Sequence, residues 1–357
     1  MKENLKGLAT DGESAGVAVV GASGYTGADL IRLIHTHPKL HLTAATANAH
    51  AGSALGDVFP HLAMVGAPDL VTVDEADFSG ADAIFCALPH GTSADVIATL
   101  PTSARIIDLS ADFRLNDADL YAEWYGGEHR APQLLKGAVY GLTELRRKAV
   151  AKARLVACPG CFPTATLLAL EPLASAGLIV SEDLIIDAKT GVSGAGRSLK
   201  EQNLFCETAE SVRPYGVGRH RHAPEIEQEL SKAFGAAAIV NFTPHLAPMN
   251  RGELVTCYVK LAGEATAADL RAALANAYDG APFVHVAGEG DTPATRDVRG
   301  SNHCKIGVFE DRLPGRAVVI AAIDNLVKGS SGQAIQNLNV MMGWPETLGL
   351  EAAPLYP

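Results

Sequence analysis

Apolar and polar positions in this chain recur in a fixed order, with β-branched runs, then glycine-rich or polar breaks, then amphipathic stretches. The first instance, VAVVGASGYTGADLIRLIHTHP, predicts a buried strand, a turn and a helix. Residues 17–20 are Val-Ala-Val-Val, small or β-branched, as a parallel strand covered on both faces requires. Comparable runs follow at βαβ spacing: LHLTAATA at 40–47, DAIFCAL at 82–88 and ARIIDLSA at 104–111. This alternation predicts an open, mostly parallel sheet and an α/β fold. Farther on, FPTATLLALEPLA reads as a helix, and another is expected after the histidines of YGVGRHRHAPEIEQEL.

Composition narrows the function classes. A chain of 357 residues is long enough for two domains with cores of their own. Hydrophobic residues at 48% and charged residues at 19% describe a folded, soluble chain. A formal charge of 29 − 40 = −11 argues against nucleic acid as a partner. No apolar run approaches the length of a membrane span, so no membrane partner is expected. The first fourteen residues, MKENLKGLATDGES, lack the apolar core of a signal peptide and are expected to form a loose tail. Six scattered cysteines do not resemble a disulfide framework, which makes a reducing cytoplasm the expected compartment.

Gly21, Gly24 and Gly27 form G-x-x-G-x-x-G, a variant of the dinucleotide fingerprint. Glycine tolerates positive φ and lets backbone approach a pyrophosphate, while the helix N-terminus supplies N–H groups and a favourable dipole. The same turn also has a purely structural reading. An NAD enzyme usually places a carboxylate after the second strand, whereas here Thr46-Ala47-Asn48-Ala49-His50 follows, which favours NADP. ALPHGTS follows the third strand at the edge where such sheets bind ligands, so Leu88, Pro89 and His90 are candidate cofactor contacts. A solvated loop residue is the other reading of His90.

The run VACPGCFPTAT places Cys158 and Cys161 three positions apart, at a strand-to-helix junction. Proline after Cys158 pushes that residue out of helical geometry, and Cys161 falls where the helix begins. A helix N-terminus lowers a thiol's pKa, which suits Cys161 as a nucleophile. A dithiol redox pair and an inert buried cysteine remain open alternatives. No second C-x-x-C or H-x-x-x-H completes a zinc set, so no metal is expected. His220 and His222 are candidate proton carriers, since imidazole titrates near neutrality; as surface residues they would do nothing. Arg114 in DLSADFR and Arg197 in TGVSGAGR follow strand-like runs, where a guanidinium would either clamp an anion or sit in solvent.

Together these stretches resemble the N-acetyl-gamma-glutamyl-phosphate reductase family, related to aspartate-semialdehyde dehydrogenase. The runs that carry the resemblance are GASGYTGADL, DLSADFRL, AVYGL, PGCFPTA, DAKTGVSGAGR, HRHAPEIEQ, FTPHLAPMNRGE, RGSNHCKIG and AAIDNLVKGSSGQAIQNLNVMMG. They lie in family order over residues 21–343. The resemblance implies an α/β fold, with a Rossmann-type dinucleotide-binding domain over 1–160 completed by 326–357. It implies an α+β catalytic and dimerisation domain over 161–325, of the glyceraldehyde-3-phosphate-dehydrogenase-like type, with the C-terminal helix returning to the cofactor domain. In this reading Cys161 attacks an acyl phosphate and forms a thioester, NADPH reduces it, and His220 or His222 is the acid/base. Gly21, Ser23, Gly24, Tyr25, Thr26 and Gly27, with Leu88, Pro89, His90 and Asn325, would contact the cofactor. Arg114 would contact phosphate and Arg197 the substrate carboxylate, with Ser193 and Gly194 also at the substrate.

The expected partners are therefore a small acyl-phosphate substrate and further copies of the chain, as a homodimer or homotetramer. Family members often have Asn at Cys158, Tyr at Phe162 and Ser-Arg at Ala47-Asn48; this chain departs at each. Thr143 and Thr190 likewise replace the more usual Pro and Ser. Two alternatives stay beside this one: the same chemistry on an aspartyl, aminoadipyl or carrier-bound acyl phosphate, and a non-enzymatic dinucleotide-binding thiol sensor.

Overall fold

The structure, a computed structural model, describes residues 14–356. The expected N-terminal tail lies outside that range, apart from Ser14, which is exposed. Among the described residues no helix is long and apolar enough to cross a membrane. The chain divides into two compact units. One runs up to Cys158 and takes back Ser331–Glu351, and the other comprises Pro159–Ser330 and the terminal segment from Ala352.

The first unit is built on a six-stranded sheet: β1 (Ala15–Val20), β2 (Leu40–Thr46), β3 (Ala83–Cys86), β4 (Arg105–Asp108), β5 (Ala138–Tyr140) and β6 (Leu155–Ala157). The strands are all parallel, in the order β2-β1-β3-β4-β6-β5. Every position of β1 is buried, which accounts for its unbroken small and β-branched sequence. Val20, Ile84, Ile106 and Leu155 pack with Ile97, Leu100 and Phe113 in one core cluster. The helix Gly332–Met341 belongs to this unit although it comes late in the chain. Its polar residues are buried and paired: Gln333 Nε2 and Asn337 Nδ2 both donate to the Gly141 carbonyl, at 3.0 and 2.8 Å.

Two strands end earlier than the apolar pattern predicts. The runs 82–88 and 104–111 shorten to Ala83–Cys86 and Arg105–Asp108. Their remaining residues turn away because buried carboxylates gather the backbone there. Asp108 Oδ1 accepts from Ser110 N–H at 3.0 Å. Asp112 accepts from Gly91 and Ala94 N–H at 2.8 and 3.0 Å, which anchors the helix Ser93–Thr99.

The second unit holds a seven-stranded mixed sheet: β7 (Leu184–Gly191), β8 (Arg213–Pro214), β9 (Val240–Ala247), β10 (Glu253–Lys260), β11 (Val284–Val286), β12 (Cys304–Glu310) and β13 (Arg316–Ile323). Their order is β11-β12-β13-β10-β7-β9-β8. Burial alternates along β10, with Glu253, Val255, Cys257 and Val259 buried and Leu254, Thr256 and Tyr258 half-buried. Period two is what a sheet packed on one face produces. The helix Cys161–Ser175 packs on β10 and β13, flanked by the helices His222–Phe234 and Ala267–Ala277.

Candidate active site

In the first unit the turn after β1 is shaped by its glycines. Gly21 has φ +91°, and a Cβ there would lie 2.5 Å from the Ala87 carbonyl oxygen. This brings the turn against the segment after β3, so the candidate residues Gly21 and Leu88 lie together. A Cβ on Gly27 would lie 2.4 Å from Gly21 O and 2.7 Å from Ala22 Cα. On Gly24 it would meet only Gly21 O, at 3.8 Å. The outer glycines thus close the turn and draw the helix onto the strand, while the middle one faces outward. That arrangement fits a pyrophosphate at the N-terminus of the helix Tyr25–Thr36, whose first turn has no acidic residue. Asn48 is exposed after β2, and the sequence has no carboxylate between Thr46 and Asp57. His90 lies beside Tyr125, with ring centroids 5.7 Å apart.

Cys158 and Arg114 also belong to the first unit. Cys158 is 1% exposed, and burial pushes its thiol up to about 12. Asn337 Nδ2 donates to its sulfur at 3.6 Å. Arg114 is buried; its Nε donates to the Cys158 carbonyl and one Nη to the Leu109 carbonyl, both at 2.8 Å. It therefore brackets the chain at the end of β6.

In the second unit Cys161 opens a helix of fifteen residues with Gly160 as its N-cap. Cys161 is half-buried, and no side chain caps the helix at Gly160. Gly160 N–H donates to the buried Glu225 carboxylate at 2.8 Å, and its carbonyl accepts from Thr164 Oγ1 at 2.9 Å. A Cβ on Gly160 would lie 2.4–2.8 Å from three atoms of the His222 ring. Only glycine lets that ring lie flat against the residue preceding Cys161. On the other side, Gly329 approaches so closely that its Cβ would lie 2.7 Å from Cys161 Cβ.

The two histidines have different surroundings. His220 lies among Phe162, Tyr215 and Phe242, with ring centroids 5.3–5.9 Å away. Burial lowers its pKa to about 4. Its Nδ1 accepts the His222 N–H at 3.2 Å.

Ser193 and Asn325 come together, with Asn325 Nδ2 donating to Ser193 Oγ at 3.0 Å. Asn325 Oδ1 accepts the Gly252 N–H at 2.9 Å, tying the loop after β7 to the start of β10. Gly194 lies close to Thr190, and Arg197 is exposed on the same loop. One neighbour of Cys161 was not singled out from the sequence. Glu253 is wholly buried, and burial raises its carboxyl to about 8 while Cys161 and Thr190 draw it back.

A glycine-cradled helix N-terminus in one unit and a helix-terminal cysteine beside a histidine in the other define a cysteine-based, nucleotide-dependent dehydrogenase. In agreement, residues 16–153 match the family model "Semialdehyde dehydrogenase, NAD binding domain" and residues 161–325 match "Semialdehyde dehydrogenase, dimerisation domain". N-acetyl-gamma-glutamyl-phosphate reductase from Rhodospirillum rubrum is 55% identical over 350 residues, 97% of this chain and 99% of that protein. A probable chloroplastic N-acetyl-gamma-glutamyl-phosphate reductase from Oryza sativa subsp. japonica is 54% identical over 97% of this chain and 83% of its own. Aspartate semialdehyde dehydrogenase II from Vibrio cholerae shares the fold, with a TM-score of 0.69 at 18% identity over 93% of this chain and 99% of its own. The chain belongs to the N-acetyl-gamma-glutamyl-phosphate reductase family.

Proposed function

We propose that this enzyme reduces N-acetyl-gamma-glutamyl phosphate to N-acetylglutamate semialdehyde and releases phosphate, with NADPH as reductant, as a step of arginine biosynthesis. The observation that carries the reading is Cys161 at an open helix N-terminus with the His222 ring laid on Gly160. The helix favours the thiolate, which attacks the acyl carbon; the bond to phosphate breaks and a thioester forms. NADPH held at the Gly21–Gly27 turn would supply the hydride that the thioester needs, and the thiohemiacetal then carried by Cys161 would collapse to the aldehyde. NADP is favoured over NAD because no carboxylate follows β2 to repel a 2′-phosphate.

His222 is the acid/base in this proposal, because its ring adjoins the nucleophile's turn. His220 positions it, staying neutral in its aromatic cage and accepting the His222 backbone N–H. Ser193, Gly194 and Arg197 line the substrate side, and Asn325 acts by holding Ser193 in place. Arg114 is oriented by the Cys158 and Leu109 carbonyls through two of its five N–H donors, and in this proposal its remaining donors contact the phosphate. The dimerisation-domain match supports a homo-oligomer, a dimer or tetramer in our reading. Six free thiols support a reducing, cytoplasmic setting.

The test runs the reaction backwards. N-acetylglutamate semialdehyde and NADP should yield NADPH only when phosphate is present. The rate should exceed that with NAD, or with aspartate semialdehyde, by about tenfold or more. Comparable rates with aspartate semialdehyde would shift the proposal to the related aspartyl substrate.

A further inference from the structure

Glu253 begins β10 at the centre of the second unit's sheet, paired across to Thr190 on β7 and to Ile323 on β13. Its side chain is 0% exposed. Among the described residues, neither carboxyl oxygen nor Thr190 Oγ1 makes a hydrogen bond of good geometry, although the Cys161 thiol and the Thr190 hydroxyl lie near enough to the carboxyl to lower its pKa. A buried carboxyl left this way costs free energy, and stability alone gives no reason to keep it. What adjoins it is the reactive thiol: Cys161 packs down on this part of the sheet from its helix, between Gly329 and the Gly160 turn.

We propose that Glu253, as a neutral carboxylic acid, is a second proton carrier of the site and holds the proton of Cys161 beside the sulfur. One proton is shared between the two groups. The helix N-terminus welcomes negative charge on sulfur, while burial resists it on the carboxyl, so Glu253 takes the proton as the sulfur attacks and holds it while the thioester stands. The inference rests on Cys161 being the nucleophile of the proposed reaction. On attack, a sulfur lone pair forms the C–S bond, and the acyl C–O pair leaves with phosphate, which takes a proton from His222. After hydride transfer the C–S pair returns to sulfur as the aldehyde forms, and Glu253 passes its proton to that sulfur. It recovers the proton at the next attack, so its balance over a turnover is zero. The single proton consumed enters through His222.

Other ionisable groups facing Glu253 are Asp324, which follows β13 and raises its pKa, and Tyr215, beside β8. Arg251 offsets Asp324 from 3.5 Å.

The test is alkylation of Cys161 by iodoacetamide across pH, read on the Cys161 peptide by mass spectrometry, in wild type and Glu253→Gln. Coupled groups titrate in two macroscopic steps. Wild type should therefore show two inflections and Glu253→Gln one, with turnover of the variant lower by about 10²-fold. Superimposable curves would overturn the proposal and leave Glu253 a structural residue. The alkylation needs no substrate, so a wild type that fails to turn over N-acetylglutamate semialdehyde sinks the substrate reading and leaves this one standing on its curves. Should Glu253→Gln not fold, infrared difference spectra of wild type on alkylating Cys161 decide the matter. A shifted carboxylic-acid carbonyl band supports contact, and no shift in that region refutes it.

Discussion

His220 is walled by Phe162, Tyr215 and Phe242, and burial lowers its pKa from 6.5 to about 4. The unfolded chain takes up a proton here as pH falls through 6.5, and the folded chain waits until about 4. Between those values the unfolded state binds more protons, so stability falls as pH drops, by at most about 3 kcal/mol from this residue. In His220→Phe, thermal unfolding should lose less stability than wild type between pH 6.5 and 4. Parallel curves would mean that His220 is charged in the fold. Residue types and spacing made both histidines and both cysteines legible and pointed to Cys161 as the nucleophile, but left the histidines undivided. Their division depends on Gly160 and His222 meeting across 62 positions, and the burial of Cys158 beside Asn337 was equally out of reach. Glu253 was illegible for a related reason: a lone acidic residue before an apolar run reads as surface, whereas here it opens a central strand on which the helix Cys161–Ser175 packs.

Between β6 and the helix Cys161–Ser175 the turn has no room for a side chain at Gly160. Gly160→Ala would place a methyl group within 2.8 Å of the His222 ring, which must then shift. A displacement of ~1 Å in a catalytic group costs on the order of 10²-fold in rate. We expect such a loss in kcat, with NADP affinity near wild type by titration. A variant with wild-type kcat would show that the His222 ring is not positioned by this contact. The first four strands of the first sheet were readable from their largely apolar runs at βαβ spacing, whereas the three-residue β5 is too short to stand out. The strand ends were not, since Asp108 and Asp112 convert the tails of β3 and β4 into turns through side-chain bonds that hydropathy does not register.

Across the whole molecule, the chain leaves the first unit after Cys158 and returns to it at Ser331. Hydropathy does not reveal that return. The sheet of the second unit was equally hidden from periodicity alone, because β10 lies between β7 and β13, each some sixty residues from it in sequence. Motif resemblance supplied the expectation of a second domain there. The central claim is a covalent thioester on Cys161. Mixing the enzyme with N-acetyl-gamma-glutamyl phosphate in the absence of NADPH, quenching in acid and mapping peptides by mass spectrometry tests it most directly. An N-acetylglutamyl increment is expected on the Cys161 peptide, present in Cys158→Ser, absent in Cys161→Ser, and discharged when NADPH is added before the quench. An adduct on Cys158 instead, or phosphate release without any adduct, would contradict the account.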